Sequence, residues 1–175
     1  MKKLRYLFAV ACMICLCCVS SAALAAAGML PINRVAIGGI GPNCTEGYVY
    51  QTYGSPNNIA PRGLDSSVWH LYGSFMKICY WGEAWTNNNS VDGTGVENPL
   101  RHIEIWGNSS MKTPDGIGLG MNINQVLSTY GTPGRIVQNK NNNTVDYFYW
   151  CGQNANLRFV AANNRIVRMS IHVTD

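Results

Sequence analysis

Charge is scarce in this chain of 175 residues: 13% are Asp, Glu, Lys or Arg, and the formal net charge is +4. Lys2, Lys3 and Arg5 supply three of those positive charges, so the rest of the chain is near +1. No basic run or stripe is visible along the sequence, which argues against nucleic acid or an anionic membrane as the main partner. Metal-ligand spacing is missing too. There is no Cys-x-x-Cys or His-x-x-x-His pair, and His70, His102 and His172 lie far apart, so any metal site would be purely tertiary. No metal and no cofactor are expected.

Complete phosphate-binding loops are also lacking. Gly38-Gly39-Ile40-Gly41 and Gly116-Ile117-Gly118-Leu119-Gly120 do not have the full spacing and follow no strand of a βαβ unit. They read as turns in which glycine supplies unusual backbone angles. The carboxylates Asp92, Glu97, Glu104 and Asp115 fix no common face or separation, and glycoside hydrolysis needs both. A Cys/His nucleophile drawn from Cys79 or Cys151 with His70, His102 or His172 has the right residue types but no recognised local signature. It defines the alternative reading, a small secreted cysteine-dependent hydrolase. The chain is otherwise expected to be non-enzymatic.

What is present is a pattern that occurs twice. Ile40-Gly41, Val49, Thr52-Tyr53-Gly54-Ser55-Pro56 and Ile59 return as Ile117-Gly118, Val126, Thr129-Tyr130-Gly131-Thr132-Pro133 and Ile136, always 77 residues on. The constant shift implies two tandem repeats. None of the matched residues is a good catalytic group, which directs attention to binding.

The N-terminus has the order of an export signal: the three early cations, an apolar run from Leu7 to Val19, then small residues through Ala27. The run is shorter than the roughly 20 residues a membrane span needs. Residues 1–27 are therefore expected to be a signal peptide, the protein to be exported to the periplasm or beyond the cell, and no membrane span to remain after cleavage. Cys15, Cys17 and Cys18 follow no good lipobox triplet, so lipid anchoring is not expected. Removing residues 1–27 leaves 148 residues, one domain by length or two units sharing a core. Of the remaining cysteines, Cys44, Cys79 and Cys151, two could pair and one stay free, or all three could be buried thiols.

In the second copy Asn122 caps a short helix with Gln125 as its reciprocal partner, Ile123, Val126, Leu127 and Tyr130 form the apolar stripe, and Gly131 and Pro133 end it. Extended segments follow over 135–138, 144–150, 156–161 and 166–173, the last alternating with Val167, Met169, Ile171 and Val173 on one face. The first copy repeats the plan: Thr45 as cap, Gly54 as stop, and strands near 68–72, 75–81 and 100–106. The fold class expected is α+β, two tandem repeats, each a short helical segment packed on one face of an antiparallel sheet. The boundaries are a linker at 28–37, a first repeat at 38–107 with an insertion at 82–99, a linker at 108–116 and a second repeat at 117–175. The Asn/Gly-rich insertion is a candidate contact loop.

Alternation also predicts an open sheet face. If Ile103, Ile105, Met169 and Ile171 point to the helices, then His102, Glu104, Trp106, Arg168 and His172 point away, and Lys77 and Arg158 place Trp81 with them. His70, Tyr72, Tyr147 and Tyr149 are assigned to the same outer set, and Trp85 joins it from the insertion. Large rings with polar handles, and arginine, carry much of the energy of protein interfaces.

The capped helix, Tyr130-Gly131-Thr132-Pro133, the aromatic Tyr147-Phe148-Tyr149, Leu157-Arg158-Phe159 and Asn164-Arg165-Ile166-Val167 resemble the SmpA/OmlA type of outer-membrane assembly lipoprotein domain. The repeat plan is similar to that of the β-lactamase inhibitory protein, whose tandem units form a concave binding sheet. The resemblance spans most of residues 38–173. It implies a non-enzymatic module that binds another protein or an envelope component through its sheet, in cell-envelope assembly or as an inhibitor-like binder.

Overall fold

The structure, a computed structural model, describes residues 27–61, 68–81, 98–152 and 154–174. The expected signal peptide up to residue 26 and residues 82–97 of the insertion, Trp85 included, lie outside the described residues.

Helix α1 (Glu46–Tyr53) precedes β1 (Asn58–Pro61), β2 (Val68–Tyr72), β3 (Met76–Tyr80) and β4 (Leu100–Trp106); α2 (Ile123–Tyr130) precedes β5 (Arg135–Asn139), β6 (Thr144–Cys151), β7 (Ala155–Ala162) and β8 (Arg165–Val173). Local chemistry sets both helix ends. Asn122 Oδ1 accepts the Asn124 amide at 2.9 Å while Gln125 Oε1 accepts the Asn122 amide at 3.2 Å, a complete capping box. Thr45 caps α1 with a longer bond, 3.5 Å from the Tyr48 amide. Gly54 at φ 76° and Gly131 at φ 74° stop the helices in a backbone region that favours glycine.

All eight strands belong to one antiparallel sheet in the order β1-β2-β3-β4-β8-β7-β6-β5. This overturns the expectation of two tandem helix-on-sheet units: the described residues build a single sheet that carries two short α-helices. The junction is β4 against β8, where Ile103 faces Ile171, Glu104 faces Ser170 and Ile105 faces Met169. An eight-residue helix cannot cover four strands, and a unit of that size would leave β4 or β8 as an open edge. Pairing the two edges removes both and merges the apolar faces. The sequence pattern that occurs twice therefore reports helix caps and stops, not separate units.

One core results. Val49, Val126 and Tyr130 from the helices meet Ile78, Ile103, Ile105, Leu157, Phe159, Met169 and Ile171 from the strands. Each fully buried aliphatic side chain of this kind contributes about 1.5–3 kcal/mol. The stretch 28–37, expected to be a linker, enters this core through Leu30, Val35 and Ile37. It is also stitched to β6, since the Leu30 amide donates to the Trp150 carbonyl at 2.7 Å and the Trp150 amide to the Gly28 carbonyl at 2.6 Å. Val167, expected to face inward, is 41% exposed, and Ile166 takes the buried position. The register between β7 and β8 shifts at Val160 and Ala161, which inverts the alternation at that end of β8.

Candidate functional site: the second sheet face

The residues that alternate with the core positions form a second face of rings and charges. One cross-strand row runs Leu71, Lys77, Glu104, Ser170, Arg158, Phe148, Arg135 from β2 to β5. Lys77 Nζ lies 3.0 Å from Glu104 Oε1, and Arg168 Nη1 is 3.8 Å from Glu104 Oε2. The same ammonium sits 4.6 Å from the centre of the Trp69 ring and 5.8 Å from that of Trp106. Toward β5, Arg158 pairs with Asp146 and stands 5.6 Å from the Phe148 ring, which Arg135 approaches from the edge strand at 5.9 Å. Phe148 stacks with Trp150, and Arg101 lies 4.2 Å over Trp81. Each cation–π contact of a partly exposed cation is worth about 0.5–1 kcal/mol.

The two carboxylates are the buried members: Glu104 is 7% exposed and Asp146 3%. A buried carboxylate is tolerated when a cation pairs with it, and here the cations come from neighbouring strands. The cations stay closer to solvent. Arg135 and Arg168 are exposed, whereas Lys77 and Arg158 are half-buried.

Of the residues expected on this face, Trp81, His102, Trp106, Arg158, Arg168 and His172 are brought together on it. His102 touches Trp69 edge-on at 5.2 Å and His172 at 5.6 Å. Four others go to the core side, a correction of the phase of β2 and β6. His70 is buried edge-on between Tyr50 of α1, at 6.1 Å, and Tyr80, at 5.2 Å. Tyr72 donates its hydroxyl to the Gly54 carbonyl at 3.3 Å and Tyr149 to the Gly131 carbonyl at 2.9 Å, so each phenol satisfies the residue that ends a helix. Tyr147 packs partly buried against the same core. Burial pushes Tyr149 up to about 12 and raises Tyr130 as well, keeping both phenols neutral.

Trp69, Leu71, Phe148, Trp150, Asp146, Arg101 and Arg135 take their places in the layer without having been singled out in the sequence. For β6 a signal existed. Asp146 shares a face with Phe148 and Trp150, and a carboxylate in an apolar strand marks the wetter side. In β2, Val68-Trp69-His70-Leu71-Tyr72 holds bulky residues on both faces and no such mark.

Of the chemical alternatives, Cys79 stands directly opposite His102 across β3 and β4. Cys79 is fully buried with its thiol 3.7 Å from the Tyr80 carbonyl, and Cys44 and Cys151 are free thiols. Burial pushes the Cys151 thiol up. Asp115 pairs with Arg34 at 3.0 Å, whereas Glu104 pairs with Lys77 and Arg168. Asp92 and Glu97 lie outside the described residues. Among the described residues no group of three or more His, Cys, Asp or Glu side chains could hold a metal ion, and no helix is long and apolar enough to cross a membrane.

No protein-family model matches the chain, and no curated protein matches it. Among solved structures, it is similar to a DUF4309 family protein (YjgB) from Bacillus subtilis, 17% identical, with 74% of this chain and 78% of that chain covered at a TM-score of 0.45. It is also similar to an extracellular protein containing a SCP domain from Bacillus anthracis, 9% identical, with 85% of this chain covered at a TM-score of 0.49. The match spans 46% of that second protein. Both similarities are weak and say nothing of what this chain binds.

Proposed function

We propose that this is an exported, non-enzymatic protein-binding module that captures another protein, or an envelope component, on its second sheet face. The observation that carries the reading is the continuous layer of Trp69, Trp81, Trp106, Phe148 and Trp150 with arginines and a lysine between them. Half-buried rings held by neighbouring cations offer large rigid area at little cost in side-chain entropy, the quality that marks interface hot spots. Export rests on the order of charges, apolar run and small residues in 1–27. The sequence resemblance to SmpA/OmlA-type domains supports binding by a sheet in cell-envelope assembly. A nucleophilic role for cysteine is disfavoured because the thiolate is the reactive form: Cys79 is fully buried and burial raises the Cys151 thiol.

The test uses the protein as bait in envelope extract, followed by calorimetry with the purified partner. Trp106→Ala and Phe148→Ala should each weaken binding by about tenfold or more while the far-ultraviolet spectrum and thermal midpoint change little. A partner that binds both variants as it binds the parent, or variants that unfold, would remove the sheet face from the reading.

A further inference from the structure

We propose that the partner surface recognised by this face is acidic: a protein segment bearing carboxylates among apolar or aromatic side chains. The inference rests on the binding role proposed above and adds the chemistry of the partner.

Lys77, Arg101, Arg135, Arg158 and Arg168 come from five different strands, and the tertiary structure gathers them on one face. Between Leu100 and Ile103, both in the core, the register shift near Cys79 and Tyr80 turns Arg101 and His102 outward together. Against Lys77, Arg135, Arg158 and Arg168 stand two carboxylates, Glu104 and Asp146, among the described residues of the face, and both are buried beneath the layer. A surface that approaches from solvent therefore meets guanidinium and ammonium groups and the faces or edges of rings. The chain beyond its first five residues is near +1 overall, so this face concentrates a charge that the rest of the molecule offsets.

The arrangement fits carboxylates on a protein better than a phosphate chain. Lys77 and Arg168 share Glu104, and Arg158 is held by Asp146, so each cation is oriented in advance and partly neutralised. What remains is a modest surplus spread from β3 to β5, about 24 Å at about 4.8 Å per strand spacing. Single-stranded nucleic acid is usually gripped by a groove with a denser run of cations. Scattered carboxylates, each met by a fixed guanidinium beside a ring, match the spacing here.

The probe is a random glutamate–tyrosine copolymer, labelled for fluorescence anisotropy, titrated with the protein at low and moderate salt. Binding is expected, and it should weaken as salt rises. Arg135→Glu/Arg168→Glu reverses the two exposed cations without touching the core, and it should lower the affinity about tenfold or more with an unchanged circular dichroism spectrum. Equal binding by this double variant, or no binding by the parent, overturns the proposal. So does tighter binding of oligothymidylate or of phosphatidylglycerol vesicles under the same salt. Trp106→Ala separates the two levels: a copolymer indifferent to charge reversal but lost with the ring leaves the sheet-face reading standing and removes the acidic partner. Indifference to both changes removes both.

Discussion

Lys77 and Glu104 stand directly opposite each other on β3 and β4, with Nζ 3.0 Å from Oε1. The glutamate is 7% exposed, so the lysine neutralises a carboxylate that water can hardly reach, and it does so from between the Trp69 and Trp106 rings. The ion pair and the ring layer are therefore one construction, in which the carboxylate anchors the cation that the rings flank.

Lys77→Met should then destabilise the protein by about 1–3 kcal/mol, the cost of leaving a buried acceptor short of its partner. Arg168, at 3.8 Å, is too distant to replace it fully. Adding Glu104→Leu should recover much of the loss, because the uncompensated charge is gone. Urea denaturation measures both, and a Lys77→Met variant as stable as the parent would contradict the pairing.

Gly28 and Gly134 meet backbone to backbone. A Cβ at Gly28 would fall 1.9 Å from the Gly134 nitrogen, and Gly28 has φ 74°. Gly28→Ala should detach the N-terminal segment from β6 and cost about 1–2 kcal/mol, through the overlap with the Gly134 backbone. The sharpest readout is hydrogen exchange at the Trp150 amide, which donates to the Gly28 carbonyl at 2.6 Å. Its exchange should accelerate in the variant, and unchanged protection would show that the contact does not hold the segment.

Alkaline stability should depend on the buried tyrosines. Tyr149 is pushed up to about 12 by burial, above its ordinary value of 10.0. A group whose folded pKa is raised stabilises the fold fully below its unfolded pKa and loses that contribution as pH climbs through the folded value. Stability should accordingly fall between pH 10 and about 12, with Tyr130 acting in the same direction. Tyr149→Phe should make that fall shallower while costing about 0.5–1.5 kcal/mol at neutral pH, because the hydroxyl bond to the Gly131 carbonyl is lost. Chemical denaturation at a series of pH values checks both effects. An identical pH slope in the two proteins would contradict the burial of this phenol.

Much of the local structure was legible because local chemistry sets it. Asn122 with Gln125, Thr45, Gly54 and Gly131 mark both helices in the sequence, and the structure places them there. The strands over β2 to β8 were visible as alternating or β-rich runs, though β1 was missed: Asn58–Pro61 is four residues long, includes a proline and has no alternation to read. The face assignments succeeded where a strand holds aliphatic residues on one side and charges on the other, as in β4. They failed in β2, where both sides are bulky, and at Tyr147 and Tyr149, whose rings turn inward.

Short-range features, then, were written in the order of residues: where helices begin and end, where the chain extends, and a charge balance with no basic stretch. The three-dimensional arrangement decided the rest. Whether eight strands would form two sheets or one depended on β4 meeting β8, a contact between residues some seventy positions apart. The gathering of Lys77, Arg135, Arg158 and Arg168 over Glu104 and Asp146 likewise required strands from both halves of the chain to lie in register. Such pairings are chosen by the burial of edges and apolar faces against each other, a free energy that belongs to the assembled sheet and to no single segment.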